Sequence, residues 1–343
     1  MKQKRYLKVR YILLGFFAVL LLLSGVFMRL GGFSTGETAN VEAFQEYAQP
    51  VEKLTIPEGK KIIALGEATH GNAEFQQLKL DVFRKMVEDY NVRGFALEGD
   101  FGGCEQVNRY IHGGEGTAQE AAAAIGFSIY RTEEMAALIS ELRQYNSSAS
   151  AGDDIRFYGF DMQRVSHTFR FLMEACMELN IDTTRLEMLV DGDKLNPALE
   201  FPTQAEILSQ VKNALRTSAA SEQVMHCADM LLQYCQLQSI PSSDGGAVRD
   251  RFMAENVKWI LQQEQSRGQE RIFVTGHNSH VAKWGSYDSM GKILSKEAEN
   301  GYYVIGTDFY KTCCNLPTRS PAKRTYQVFY SHDPLNFFRL GVS

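Results

Sequence analysis

Lys61-Ile-Ile-Ala-Leu-Gly-Glu-Ala-Thr-His70 is an apolar run that ends on a glutamate and a histidine three residues apart. Apolar residues at consecutive positions predict a strand covered on both faces, as in a parallel sheet. Such a strand delivers its last residues to the carboxyl edge of the sheet, on the turn into a helix, where α/β enzymes keep their chemistry. Two further runs end the same way. Arg93-Gly-Phe-Ala-Leu stops at Glu98, and Arg271-Ile-Phe-Val-Thr-Gly stops at His277, with His280 one helical turn on. Strand ends thus bring Glu67, His70, Glu98, His277 and His280 to one edge, and the chain reads as an enzyme.

Outward from the first run, residues 67–72 lead into a helix with Phe75, Leu78, Val82, Phe83, Met86 and Val87 at helical spacing. A second strand at 93–98 follows the turn at Asn91, and this alternation implies parallel strands joined by a right-handed crossover. Gly102-Gly103 reads as a turn before a helix carrying Val107 and Ile111. A helix at 133–145 precedes a strand at 155–160 that ends on Asp161. Residues 166–265 are almost wholly helical in pattern and read as an insertion between two strands. Strands return at 271–275, 302–306 and 325–330. The expected fold is α/β, a mostly parallel sheet flanked by helices with a helical insertion, preceded by one N-terminal transmembrane helix.

That last element rests on the first thirty residues. Lys2, Lys4, Arg5, Lys8 and Arg10 stand before an apolar run from Tyr11 to Met28. Its length is near the minimum for a hydrocarbon layer of ~30 Å at about 1.5 Å per residue. The basic flank predicts a cytoplasmic segment 1–10, a signal anchor 11–30, a linker 31–44 and an extracytoplasmic domain 45–343. A cleaved signal peptide is the rival reading, but Arg29 interrupts where a small-residue cleavage site would fall.

Composition bounds the rest. Of 343 residues 44% are hydrophobic, enough for a sizeable core, and the net charge of −5 argues against nucleic acid as a partner. The cysteines at 104, 176, 227, 235, 313 and 314 show no CxxC pair or metal spacing. Most read as packed thiols; a Cys227–Cys235 bridge has no support, the two standing eight residues apart in an apparent helix.

Several further motifs stand in order. Gly66-Glu-Ala-Thr-His-Gly71 is followed by Glu74-Phe75, Ala96-Leu-Glu98, Gly159-Phe-Asp-Met-Gln163, Arg251, Met253-Ala-Glu-Asn256 and His277-Asn-Ser-His280. Together they resemble the signature of the erythromycin esterase family, over roughly residues 45–343. The family hydrolyses the lactone ester of macrolide antibiotics, and its best-known members require no metal. The resemblance implies His70 as the general base that activates water, with Glu67, Glu98, His277 and His280 at the family's other polar active-site positions. Lys79 stands where well-known members carry arginine, which keeps the charge and loses the fork.

The residues alone support compatible chemistry. A histidine near neutral pKa suits a base, a neighbouring carboxylate fixes its tautomer, and a cation or second imidazole can hold an oxyanion. Lys79, two to three turns along its helix, reaches the site only if its side chain runs back. Glu74, on the first helical turn, and Asp161, at its strand end, are the remaining candidates, grouped with Lys79 as substrate-binding. Each also has a plain structural role open to it: Glu98 as an ion-pair partner, His277 as the cap of the following helix, His280 as a half-buried ring. Arg251 and Glu255 suit a surface ion pair as well as a site. His112, His167, His226 and His332 have no motif around them. No Gly-x-Ser-x-Gly elbow is present, Ser279 is poorly flanked, and Cys104 is a weak nucleophile candidate. The expected partner is a small-molecule ester. The rival functions are a metal-dependent hydrolase using the same His/Glu cluster, and a ligand-binding relative without activity.

Overall fold

The computed structural model describes residues 51–192, 194–285 and 287–307, with the backbone of 312–315 and 325–328. The segment 1–30, with the expected membrane anchor, lies outside the described residues. Among the described residues no helix is long and apolar enough to cross a membrane.

At the centre is a parallel sheet of β1 (Ile62–Glu67), β2 (Gly94–Asp100), β3 (Arg156–Asp161), β6 (Ile272–His277) and β7 (Tyr302–Ile305), in the order β3-β2-β6-β1-β7. Its strands are buried on both faces, so alternate residues enter opposite cores. Ile63, Leu65, Phe95, Leu97, Phe157 and Phe273 face one side. There they meet α1 (Ala73–Tyr90), α2 (Phe101–Ile111), α3 (Ala118–Ala124) and α4 (Glu133–Asn146). Ile62, Ala64, Ala96, Tyr158, Phe160, Ile272 and Val274 face the other. That side is covered by α5 (Ser166–Glu178), α6 (Thr184–Glu187), α7 (Phe201–Thr217), α8 (Glu222–Ser239) and α9 (Ser242–Ser266), all between β3 and β6. A two-residue hairpin, β4 (Val190–Asp191) with β5 (Lys194–Leu195), interrupts them. The short α10 (Asn278–Val281) leaves β6 directly, and α11 (Met290–Glu297) leads to β7.

The strand expected at 325–330 is present as β9 (Thr325–Val328), but it pairs antiparallel with β8 (Thr312–Asn315) in a separate sheet. Gly102 and Gly103, expected in a turn, lie in the first turn of α2, whose N-cap is Asp100. Position 103 is glycine because α3 ends against it, and a Cβ there would overlap the Ala124 carbonyl oxygen. Gly103→Ala gains helix propensity of about 1 kcal/mol and must displace backbone, an overpacking cost of about 1–3 kcal/mol or more. The expected outcome is a thermal midpoint several degrees lower; a midpoint at or above the parent's would contradict the clamp.

The thiols among the described residues are structural. Cys104, Cys176, Cys227 and Cys235 are buried and free, so the Cys227–Cys235 bridge does not form. Burial pushes the Cys104 thiol well up, which removes it as a nucleophile.

Candidate active site

Register sets the site. In the β1–β6 pairing Gly66 lies beside Gly276 and Glu67 beside His277, so two of the polar strand ends are direct neighbours. β2 flanks β6 on its other side and brings up Glu98.

Glu67 is buried at 2% exposure, and both of its oxygens are engaged. Oε1 meets His70 Nδ1, while Oε2 accepts from Lys79 Nζ at 2.5 Å and from Gln76 Nε2 at 3.5 Å. Lys79 and Gln76 both come from the buried face of α1, so the lysine side chain does run back to the strand end. Lys79 Nζ also lies 5.3 Å from the Tyr130 ring centroid, and the Tyr130 hydroxyl donates to the Glu98 carbonyl at 3.0 Å. Burial opposes the Glu67 charge, but the Lys79 ammonium and His70 overcome it and hold the carboxyl down at about 2. Burial likewise opposes a charged His70, yet the Glu67 carboxylate wins and raises the imidazole above its ordinary 6.5. The ring is partly open to solvent, with 36% of its side chain exposed. In its neutral form Nδ1–H donates to Glu67 and the Nε2 lone pair is left for another proton.

His277 sits 5.1 Å from His70, centroid to centroid. It caps α10: the Ser279 amide donates to its Nδ1 at 3.2 Å, and the Ser279 hydroxyl lies 2.7 Å from the same atom. A nitrogen that accepts an amide proton carries none, so the neutral ring bears its proton on Nε2. Burial first, then the neighbouring His70, lowers its pKa. The two facing imidazoles are therefore complementary, His70 an acceptor at Nε2 and His277 a donor there.

Beneath them lies a guanidinium. Arg249, on α9, grips Asp161 through Nε at 3.0 Å and Nη2 at 2.9 Å, reaches Glu98 Oε1 at 2.7 Å, and meets His280 Nε2 through Nη1 at 2.9 Å. Glu98 Oε2 accepts the His277 amide at 2.8 Å. Burial would raise the Glu98 carboxyl, but the Arg249 guanidinium and the His277 amide keep it below its ordinary value. His280 Nδ1 faces Asp250 Oδ1 at 2.8 Å, and the Tyr287 hydroxyl donates to Asp250 Oδ2 at 2.9 Å. The loop after β7 closes the edge: Thr307 Oγ1 donates to the Gly66 carbonyl and accepts the Ala68 amide, while Asn278 Nδ2 donates to the Thr307 carbonyl. A Cβ at Gly66 would overlap the Asn278 amide oxygen, so only glycine leaves room for this clamp.

The structure brings Glu67, His70, Glu98, His277 and His280 together, and alters the part expected of the others. Lys79, 1% exposed, and Asp161, fully buried, are turned away from solvent and hold Glu67 and Arg249 respectively. Glu74 is exposed on the first turn of α1, and its carboxylate has no ion-pair partner among the described residues. Arg251 and Glu255 are exposed, with Arg251 over the Phe252 ring, so the polar pair that enters the site is Arg249 and Asp250. His112 binds Asp154, and His226 stacks on Trp259 away from the cluster. His332 lies outside the described residues. Among the described residues no group of three or more His, Cys, Asp or Glu side chains is arranged to hold a metal ion.

Residues 87–328 match the erythromycin esterase family. The chain belongs to that family. It is 26% identical over 295 residues to an Escherichia coli protein named erythromycin esterase type II, covering 73% of this chain and 69% of that one. It is 22% identical over 302 residues to the putative hydrolase YbfO of Bacillus subtilis (strain 168), covering 74% and 66%. The chain thus spans about two thirds of the length of these curated relatives. Its fold is shared with a Bacillus cereus protein of known crystal structure, TM-score 0.69 at 21% identity, covering 85% of this chain and 78% of that one. A succinoglycan biosynthesis protein gives the same TM-score of 0.69 at 19% identity, covering 86% and 81%. A mutant of the erythromycin esterase EreC in its open conformation gives 0.55 at 16% identity, covering 79% and 76%. In this member of the erythromycin esterase family, the lysine at position 79 makes its buried contact through a single ammonium.

Proposed function

We propose that this chain hydrolyses a carboxylic ester or lactone, with water activated by His70. Family membership supports a hydrolase acting on esters. The observation that carries the mechanism is the buried line Lys79–Glu67–His70, which leaves one imidazole nitrogen free beside a second imidazole. His70 Nε2 takes a proton from water as its oxygen attacks the ester carbonyl, and Glu67 stabilises the imidazolium that forms. The developing oxyanion receives the Nε2–H of His277. Collapse of the tetrahedral intermediate breaks the bond to the alkoxy oxygen, and the proton held on His70 passes to that leaving oxygen. The products are a carboxylic acid and an alcohol, joined in one molecule when the substrate is a lactone.

A macrolide lactone is the first substrate to try, because the E. coli relative is named for it. The basic flank and apolar run of residues 1–30 support anchoring in a membrane with the catalytic domain outside the cytoplasm. The test is turnover of erythromycin and of simple aryl esters by the purified protein, with and without chelator. Hydrolysis that persists in chelator supports the reading. Loss of hydrolysis with chelator, restored by a divalent metal, would replace it with metal-assisted hydrolysis.

A further inference from the structure

We propose that Arg249 and Asp250, consecutive on α9, are positioning residues that lock His280 as a neutral ring protonated on Nδ1, and so bar it from acting as a base. The effect on turnover rests on the ester-hydrolase reading; the state of the ring does not.

The lock is visible atom by atom. Asp250 is fully buried, and its Oδ1 lies 2.8 Å from His280 Nδ1 while also accepting the Met290 amide at 2.9 Å. Its Oδ2 accepts the Tyr287 hydroxyl at 2.9 Å. On the other edge of the ring, Arg249 Nη1 stands 2.9 Å from His280 Nε2. A guanidinium only donates, so Nε2 accepts and the ring proton is on Nδ1, facing the carboxylate. Both ring nitrogens are then spent. Among the described residues, His70 is the imidazole of the site that keeps an unengaged lone pair while neutral.

Arg249 suits the task because its donors are fixed in one plane. One head group joins Asp161 on β3, Glu98 on β2 and His280 on α10. A lysine at 249 carries its three donors on one nitrogen and cannot span the three groups that the planar fork reaches. The charged and titratable groups facing His280 are Asp250 and Arg249 from α9, Glu98 from β2 at 3.6 Å, and the His277 ring at 6.4 Å. With the guanidinium gone, Nε2 has the Glu98 carboxylate in reach as an acceptor, which removes the preference for a proton on Nδ1. Arg249 therefore sets the tautomer of His280 as well as its orientation.

The test is nitrogen-15 imidazole correlation spectroscopy on the whole protein with labelled histidine, the His280 signals being assigned by their absence in His280→Gln. At neutral pH the wild-type ring is expected as the Nδ1–H form. In Arg249→Lys the Nδ1–H form is expected to be lost, with kcat falling about 10- to 100-fold and KM within about twofold. Tyr287→Phe removes a donor to Asp250 at a partly exposed position. It should fold normally, shift the Nδ1 resonance and lower kcat a few-fold. A wild-type ring that is imidazolium or Nε2–H at neutral pH overturns the proposal, as does an Nδ1 resonance indifferent to Tyr287→Phe. Should Arg249→Lys fail to fold, those two spectra still decide it. A protein that hydrolyses no ester yet shows the Nδ1–H ring keeps the lock and loses the proposed reaction.

Discussion

His70→Asn is expected to lower kcat/KM for ester hydrolysis by about 10²- to 10⁴-fold, the range lost with a positioned general base. Asparagine keeps a polar group beside Glu67 and offers no nitrogen that can take a proton from water. The ring it replaces is about one-third exposed at the carboxyl edge of the sheet, so little packing is lost and the thermal midpoint should hold within about 2 °C. Activity and stability are thereby separated. Steady-state kinetics on the ester turned over best, with a melting curve of each protein, give both numbers. A loss of less than tenfold would remove His70 as the base.

Lys79→Met is expected to act on stability as well. It strips the buried Glu67 carboxylate of its ammonium and leaves only His70 and Gln76 beside it. Breaking a buried pair by removing one partner costs about 3–5 kcal/mol, because the remaining charge is uncompensated. For a chain of this size that is a fall in thermal midpoint of roughly 10 °C. Glu67 can escape by taking up a proton, but it then ceases to support a charged His70, so activity falls too. The double variant Glu67→Gln/Lys79→Met removes both charges and should be more stable than Lys79→Met alone, the signature of a coupled pair. A single variant that melts within about 2 °C of the parent would mean that the pair contributes nothing net.

The parts of this molecule legible in its sequence are those governed by local pattern. β1, β2 and β6 are almost uniformly apolar because helices cover both faces, and each ends on a polar residue at the edge where parallel strands converge. That is how Glu67, His70, Glu98, His277 and His280 could be grouped without knowing the strand order. The order itself was not legible: β6, late in the chain, inserts between β1 and β2, and only tertiary pairing decides that. Arg249 escaped for a related reason. It precedes Met253, Asn256 and Ile260 at intervals that place all four on the buried face of α9. An arginine is nevertheless read as solvent-facing, and the i,i+4 spacing of Arg251 and Glu255 drew attention to the exposed face instead. Asp250 and Tyr287 find each other across 37 residues, a contact with no local signal. Gly102 and Gly103 gave a turn signal for the same reason that they are useful here, since the lack of a Cβ serves close packing in a helix as well as a bend.

The most direct measurement of the central claim is the pH dependence of kcat/KM for wild type and Glu67→Gln on one ester. A base works deprotonated, so activity should rise with pH through the pKa of His70. In the wild type burial works to lower that pKa and the Glu67 carboxylate raises it further than burial lowers it, so the inflection should lie above 6.5. In Glu67→Gln the burial persists without the carboxylate, and the inflection should move below 6.5. A wild-type inflection below 6.5, or one that stays in place in Glu67→Gln, would contradict a histidine base tuned by Glu67.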